Sequence, residues 1–130
     1  SIASDGPLTV FGVGSPHPRT YGTFARVLGS YVRERNILSL EEAIRKMTSL
    51  PARILSLNKR GLIKEGYYAD ITVFDSRAII DKATFEDPHQ YAEGIHSVIV
   101  NGVIVVEQGV HNGNKPGKVL RGPGYIVGKE

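Results

Sequence analysis

Three polar residues near the start of the sequence could take part in chemistry. Asp5 stands in the short run Ser4-Asp5-Gly6, and His17 and Arg19 follow it in the same Gly- and Pro-rich loop. A carboxylate can move a proton, and a guanidinium can bind a carboxylate through two parallel hydrogen bonds. Asp-Gly alone is typical of an ordinary turn, in which the aspartate bonds nearby backbone. An aspartate followed by a long loop with His and Arg, and then a helix, is how a βα-barrel presents a site.

The elements that follow this loop are predicted to be helices. Gly and Pro recur over residues 6–18, a pattern that excludes a helix or a central strand. Apolar residues at helical spacing predict a helix over 21–34. Ser39 with Glu42 forms a capping box that predicts the start of a second helix, and Pro51 suits the first turn of a short third one.

The second half of the sequence is predicted to form strands. Residues 70–75 are rich in β-formers, and Asn101-Gly102 is the strongest hairpin signal, joining the runs 96–100 and 103–107. Both arms of the hairpin are apolar on both faces, which predicts that other parts of the protein pack against both sides of these strands. The Gly-rich tail over 109–130 is expected to wrap over the sheet. One face or edge still lacks a partner, which predicts either missing upstream strands or self-association.

Length and composition exclude several classes of protein. The chain has 130 residues, the size of one modest domain, and no cysteine for a disulfide framework or a thiolate ligand. No apolar run approaches the ~20 residues of a membrane span, so we expect no membrane partner and a cytoplasmic location. The net charge is +3, but the basic residues do not cluster into the continuous surface that phosphate binding needs. Only 8% of all residues are aromatic and could stack on bases, so we expect no nucleic acid partner.

Two narrow motifs carry a resemblance to a known family. They are His17-Pro18-Arg19-x-Tyr21-Gly22-Thr23-Phe24 and Ala83-Thr84-Phe85-Glu86-x-Pro88-His89-Gln90-Tyr91. Together with Ser4-Asp5-Gly6, they resemble the C-terminal part of N-acyl-D-amino-acid deacylases (D-aminoacylases), members of the amidohydrolase superfamily. The broader elements Gly66-x-x-Ala69-Asp70-Ile71-x-Val73-Phe74 and Val100-Asn101-Gly102 occur across many amidohydrolases. The resemblance covers almost the whole chain.

The resemblance implies an α+β fragment of a larger fold. Residues 1–57 would be the last strand end, the loop and the closing helices of a (β/α)8 metal-dependent hydrolase barrel. Residues 58–130 would be the C-terminal part of a small β-sandwich domain, whose other strands lie upstream. The sequence also begins at Ser1 without a methionine, close to its sharpest motif, which favours a fragment of a longer protein.

The resemblance also implies roles for four residues around the loop. Asp5 would be the catalytic carboxylate that takes a proton from metal-activated water and gives it to the leaving nitrogen. Asp5 would in addition be a weak candidate metal ligand. Arg19 would bind the substrate by gripping its carboxylate. Tyr21 would either line the substrate pocket or, as aromatic residues before a helix often do, pack against the core. His17 would stabilise the loop or the residues that bind the substrate, and would not itself bind the metal.

The histidines do not form a metal-binding motif. They stand at positions 17, 89, 96 and 111, without His-x-His or His-Glu-x-x-His spacing, whereas zinc takes three or four protein ligands. We therefore expect the family's zinc to be held upstream, and this chain alone to bind none and to be inactive. The parent protein would hydrolyse a small-molecule N-acyl-D-amino acid. We expect His89 and Tyr91 to pack in the fold, and His96 and His111 to be ordinary strand and loop residues.

Two other functions stay open on the sequence alone. The parent could be another amidohydrolase that acts on cyclic amides, such as a hydantoinase or dihydroorotase. These enzymes are not expected to share Arg19 and the neighbouring run Tyr21-Gly22-Thr23-Phe24, so the presence of these residues favours the deacylase. Alternatively, the chain could be a β-rich interaction module without chemistry. In that case Asp5 is a turn residue and the apolar strands form a dimer interface.

Overall fold

The computed structural model describes residues 1–125 as a set of helices followed by an antiparallel sheet. The helices are α1 (Arg19–Arg26), which continues into a π-helical segment (Val27–Glu34), then α2 (Leu40–Met47) and α3 (Ser49–Ile54). The strands are β1 (Ile71–Phe74), β2 (Ile95–Val100), β3 (Val103–Glu107) and β4 (Val110–His111). This order agrees with the prediction from sequence, except that β4 was not predicted.

The helices form where the sequence chemistry predicts them. The Ser39 hydroxyl accepts a hydrogen bond of 3.2 Å from the backbone N–H of Glu42, which confirms the predicted cap of α2. The helix predicted over 21–34 is present as one continuous helix, but its second half has π rather than α geometry. Among the described residues, every helix falls short of the length and apolar character that a membrane crossing requires.

The sheet has the strand order β1-β2-β3-β4, and each neighbouring pair is antiparallel. Asn101 and Gly102 both have positive φ, 48° and 82°, as a two-residue hairpin turn requires. Gln108 and Gly109 repeat this geometry at 48° and 79°, so the chain turns back and forms β4. The tail was expected to wrap over the sheet, but its first residues instead extend the sheet at its edge as β4. The last part of that tail, 126–130, lies outside the described residues.

The hydrophobic core lies where the helices meet the segment that precedes β2. Ile79 is only 2% exposed and packs against Val27 and Leu28 of the π-helical segment. Glycine allows the chain to come this close. A Cβ on Gly94, which has a φ of 84°, would lie 2.5 Å from the backbone nitrogen of Ile79. A Cβ on Gly29 would lie 2.6 Å from the carbonyl oxygen of Ile79.

The start of the chain, where a strand end is predicted, contains no strand in the described residues, and the prediction stays untested. Residues 1–10 form neither helix nor strand, although the Ile2 N–H donates a 3.0 Å hydrogen bond to the Lys46 carbonyl. A strand needs a hydrogen-bonded neighbour. Within residues 1–125, no strand pairs with this segment.

A polar network joins the start of β1 to the hairpin turn between β2 and β3. Arg60 forms an ion pair with Asp70 and donates a 2.6 Å hydrogen bond to the side-chain oxygen of Asn101. The Asn101 N–H in turn donates to Asp70 at 2.8 Å, and its side-chain amide donates to the Pro116 carbonyl at 2.7 Å. The network therefore fixes the start of β1, the hairpin turn and the tail to one another.

Candidate functional site

Asp5 and Arg19 lie together at the two ends of the loop 6–18. Arg19 Nη2 is 3.1 Å from Asp5 Oδ2. The Asp5 side chain is 86% exposed and that of Arg19 is 43% exposed, so both groups are accessible on the described chain. The backbone of Asp5 has a φ of 49°, a left-handed conformation that non-glycine residues adopt rarely and that clusters at functional sites. The site thus combines a carboxylate that can accept a proton with a guanidinium that can bind a carboxylate.

His17 lies directly before the helix that carries Arg19. Its Nδ1 accepts a 3.0 Å hydrogen bond from the backbone N–H of Arg19, the first residue of α1. The first N–H groups of a helix have no partner within the helix, so the imidazole satisfies one of them. The His17 ring also contacts Phe85 edge to face, with a centroid distance of 4.9 Å. These contacts agree with a supporting role for His17, which stays a prediction.

Helix α1 is also held at its other end. Arg26 Nη1 lies 2.8 Å from Asp81 Oδ2, and the Asp81 side chain is only 9% exposed. The hydrogen bond to this carboxylate raises the pKa of Arg26 above its usual value. Gly22 permits the approach, because a Cβ there would lie 2.7 Å from the Cβ of Asp81. The helix that carries Arg19 is therefore fixed against the segment 81–94.

The Tyr21 hydroxyl has two partners in the described chain. It lies 2.9 Å from Nδ1 of His89 and 3.1 Å from the hydroxyl of Thr9. The ring belongs to an aromatic cluster in which Phe11 stacks on Tyr91, with centroids 4.9 Å apart. The predicted substrate contact of Tyr21 stays a prediction, since these contacts connect Tyr21 to the loop.

His89 and Tyr91 pack in the fold, as their sequence context predicted. Both rings contact Phe11, at centroid distances of 5.6 Å and 4.9 Å. The hydrogen bonds of His89 were not predicted. Its Nδ1 accepts from the Gly12 N–H at 3.1 Å, and its Nε2 lies 3.0 Å from the Gly14 carbonyl oxygen. The only signal in the sequence was the position of His89 in a narrow motif.

The residues that could bind a metal do not form a complete site in this part of the chain. Residues 1–125 contain no group of three or more His, Asp or Glu side chains that could hold a metal ion. Asp5 is a single, exposed carboxylate, whereas a zinc site takes three or four protein ligands. His96 lies on β2, the ordinary strand position predicted for it, whereas His111, predicted to lie in a loop, belongs to the short strand β4. Asp5 can at most add one ligand to a site formed elsewhere.

Comparison with known proteins relates the chain to one family of hydrolases. The model of the Amidohydrolase family matches residues 1–106. The chain is 46% identical over 113 residues to N-acyl-D-glutamate deacylase of Alcaligenes xylosoxydans xylosoxydans, a match that covers 87% of this chain and 23% of that protein. The chain is also 50% identical over 44 residues to dihydroorotase of Endomicrobium trichonymphae. This shorter match covers 34% of this chain and 10% of that enzyme.

Solved structures give the same relationship. The crystal structure of a D-aminoacylase, described as defining a novel subset of amidohydrolases, superposes with a TM-score of 0.80 at 50% identity. That match covers 82% of this chain and 22% of the other. N-acyl-D-glutamate deacylase from Bordetella bronchiseptica, solved with zinc and a phosphonate mimic of the tetrahedral intermediate, has a TM-score of 0.69 at 46% identity over 70% of this chain and 19% of the other. The chain thus spans less than a quarter of the length of these relatives.

Proposed function

The chain belongs to the amidohydrolase family, and on this premise we propose that it is the C-terminal part of a metal-dependent hydrolase of N-acyl-D-amino acids. The complete protein cleaves the amide to release a carboxylate and the free D-amino acid. The observation that carries this proposal is the 3.1 Å approach of Asp5 and Arg19. In an N-acyl amino acid, one carbon bears both the carboxylate and the amide nitrogen. The groups that bind the first and protonate the second must therefore lie within a few ångströms of each other.

Asp5 moves the proton in this proposal. Its carboxylate accepts a proton from the water whose oxygen bonds to the amide carbonyl carbon. It then delivers that proton to the nitrogen as the carbon–nitrogen bond breaks. A zinc ion, when bound, would activate this water by lowering its pKa to about 7. Asp5 suits the task because its short side chain holds the oxygen in a narrow range of positions.

Arg19 binds the substrate carboxylate in this proposal. A guanidinium offers two parallel N–H donors to a carboxylate, a geometry that lysine cannot provide. The hydrogen bond that the backbone N–H of Arg19 donates to His17 Nδ1 supports this arrangement, since it orders the residue from which the guanidinium extends. Tyr21 lies two residues further along the same helix and also contacts the substrate.

The rest of the protein provides the metal site and the remainder of the fold in this proposal. Residues 1–57 are the end of the last strand, the loop and the closing helices of a (β/α)8 barrel, and 58–130 contribute to a small β-sandwich. The zinc bound in the Bordetella bronchiseptica relative supports zinc as the metal. The chain alone then binds no metal and is inactive. The coding sequence upstream of Ser1 is expected to contain a His-x-His pair.

The test is turnover by the full-length protein loaded with zinc. N-acyl-D-amino acids are compared with their L-enantiomers, hydantoins and dihydroorotate. We expect hydrolysis of the N-acyl-D-amino acids and little of the others. Turnover of the cyclic amides alone would instead support a ring-opening enzyme, the class to which the partial dihydroorotase match belongs. Release of the acyl carboxylate and of the amine is measured separately, so that amide cleavage is distinguished from ring opening.

A further inference from the structure

His89 fastens the loop that joins Asp5 to Arg19, although it is far away in the sequence. Its ring lies within hydrogen-bond distance of the Gly12 N–H (3.1 Å) and the Gly14 carbonyl oxygen (3.0 Å). The same ring contacts the hydroxyl of Tyr21 at 2.9 Å, on the helix that follows the loop. One side chain therefore connects the tip of the loop to helix α1.

The partners of His89 define the role of each ring nitrogen. Because the Gly12 N–H donates to Nδ1, this nitrogen carries no proton, and Nε2–H donates to the Gly14 carbonyl. The Tyr21 hydroxyl is then the donor in its contact with Nδ1, where it shares the single lone pair of this nitrogen with the Gly12 N–H, and its oxygen accepts from the hydroxyl of Thr9. A neutral imidazole thus has both nitrogens engaged with the loop and its flanking helix.

Aromatic contacts add to these hydrogen bonds. Phe11, at the tip of the loop, stacks on Tyr91 with centroids 4.9 Å apart. His17, at the end of the loop, contacts Phe85 at the same centroid distance. The segment that carries His89 therefore holds the loop at two places. A loop with glycines at 6, 12 and 14 needs such restraint, because ordering each residue costs about 1–2 kcal/mol of conformational entropy.

We propose that His89 is a positioning residue that fixes the loop between Asp5 and Arg19 and so sets the alignment of these two groups. This inference rests on the proposed function, in which Asp5 acts on the amide while Arg19 holds the carboxylate. Small displacements of aligned groups lower the rate strongly, even when the displaced residue is far from the chemistry. His89 acts through the loop and does not itself touch the substrate.

The kinetic test compares two substitutions of His89 in the full-length protein. His89→Ala removes all three hydrogen bonds, and we expect kcat to fall about 10- to 100-fold with a smaller change in KM. In His89→Asn the side-chain oxygen can still accept from the Gly12 N–H and the Tyr21 hydroxyl, so we expect it to recover most of kcat. His96→Ala, on the exposed part of β2, is the matched control and should keep full activity. Equal losses in His89→Asn and His89→Ala, or an unchanged kcat in His89→Ala, would overturn the proposal.

A milder variant covers the case in which His89→Ala disturbs the local fold. Tyr21→Phe removes one hydroxyl and keeps the ring in the aromatic cluster. We expect a three- to tenfold loss in kcat, corresponding to about 0.5–1.5 kcal/mol for a hydrogen bond. This loss should largely disappear when His89 is already alanine, because both changes break the same contact. Fully independent losses would show that the hydroxyl acts elsewhere and would contradict the proposal.

Amide hydrogen exchange at Gly12 tests the restraint without relying on activity. We expect the Gly12 N–H to exchange at least about three times faster in His89→Ala than in the unsubstituted protein, and little faster in His96→Ala. Equal exchange in all three proteins would overturn the proposal whatever the kinetics show. If exchange depends on His89 but the unsubstituted protein does not hydrolyse N-acyl-D-amino acids, the proposed function fails while the restraint on the loop stands.

Discussion

Arg19 and Asp5 form an ion pair of 3.1 Å across the two ends of a single loop. Neither residue needs the sheet for this contact, because Asp5 precedes the loop and Arg19 opens helix α1. His17 bonds the backbone of Arg19, and His89 bonds the tip of the same loop. The distance between the two side chains therefore depends on how firmly the loop is held in place.

Replacing Arg19 by lysine should weaken substrate binding while keeping the charge. Arg19→Lys loses the parallel pair of donors, and a hydrogen bond to a charged group contributes about 1.5–3 kcal/mol. We expect kcat/KM for N-acyl-D-amino acids to fall about 10- to 100-fold. The same conservative change at Arg77, whose side chain is 91% exposed, is the control and should have little effect.

An analogue without the carboxylate makes the Arg19 experiment specific. An N-acyl amine should be a poor substrate of the unsubstituted protein, and Arg19→Lys should hardly change its turnover. Measuring kcat/KM for both substrates with both proteins completes the comparison. Equal losses for the two substrates would indicate that Arg19 supports the fold rather than the substrate carboxylate.

Gly29→Ala should destabilise the protein, even though alanine favours helices. The added Cβ would lie 2.6 Å from the Ile79 carbonyl oxygen and 2.6 Å from Cδ1 of Ile80. Overpacking of this kind costs about 1–3 kcal/mol, against a gain of about 1 kcal/mol in helix propensity. We expect a net loss of up to about 2 kcal/mol in the free energy of unfolding, measured by denaturant titration. Gly117→Ala, with nothing within 4 Å, should change it by less than about 0.5 kcal/mol.

Glu42 should make stability depend on pH in the acidic range. Hydrogen bonds from Arg45 of 2.7 and 2.8 Å lower the pKa of Glu42 from 4.5 to about 2. A lowered pKa in the folded state stabilises the protein fully above pH 4.5, and this contribution is lost as pH falls towards 2. The stability difference between the unsubstituted protein and Glu42→Gln should therefore shrink over that interval.

The neighbouring first-turn carboxylate provides the control for this measurement. Glu41→Gln removes a similar charge from α2 without removing the partner of Arg45. Unfolding is followed by circular dichroism for the three proteins from above pH 4.5 down to about pH 2. A difference for Glu42→Gln that stays constant as pH falls would show that the pair with Arg45 does not contribute in this way.

Local chemistry explains why much of the fold could be predicted from the sequence. The cap at Ser39 and the turn at Asn101-Gly102 each depend on a few adjacent residues, and both are present as predicted. The π-helical segment Val27–Glu34 could not be predicted, because its apolar spacing also suits an α-helix. Strand β4 could have been suggested by Gln108-Gly109, a dipeptide that resembles the hairpin turn before it.

Long-range contacts explain what the sequence could not reveal about the site. Asp5, His17 and Arg19 are close together in the sequence, so the sequence alone predicts that they contribute to one site. The hydrogen bonds of His89 join residues 75 and 77 positions apart, and no local pattern encodes such pairs. The same is true of the bond between Asp70 and Asn101, which lie 31 positions apart. The sequence shows the motifs that contain His89, Asp70 and Asn101, but only the fold shows which residues they contact.

The central claim is that Asp5 carries the proton in amide hydrolysis. The most direct test is the kcat of Asp5→Asn in the full-length protein, measured together with its zinc content. We predict that kcat falls about 10²- to 10⁴-fold, the range for loss of a general acid–base group, while most of the zinc remains bound. A variant that keeps kcat within a fewfold of the unsubstituted protein, with its zinc in place, would contradict the account.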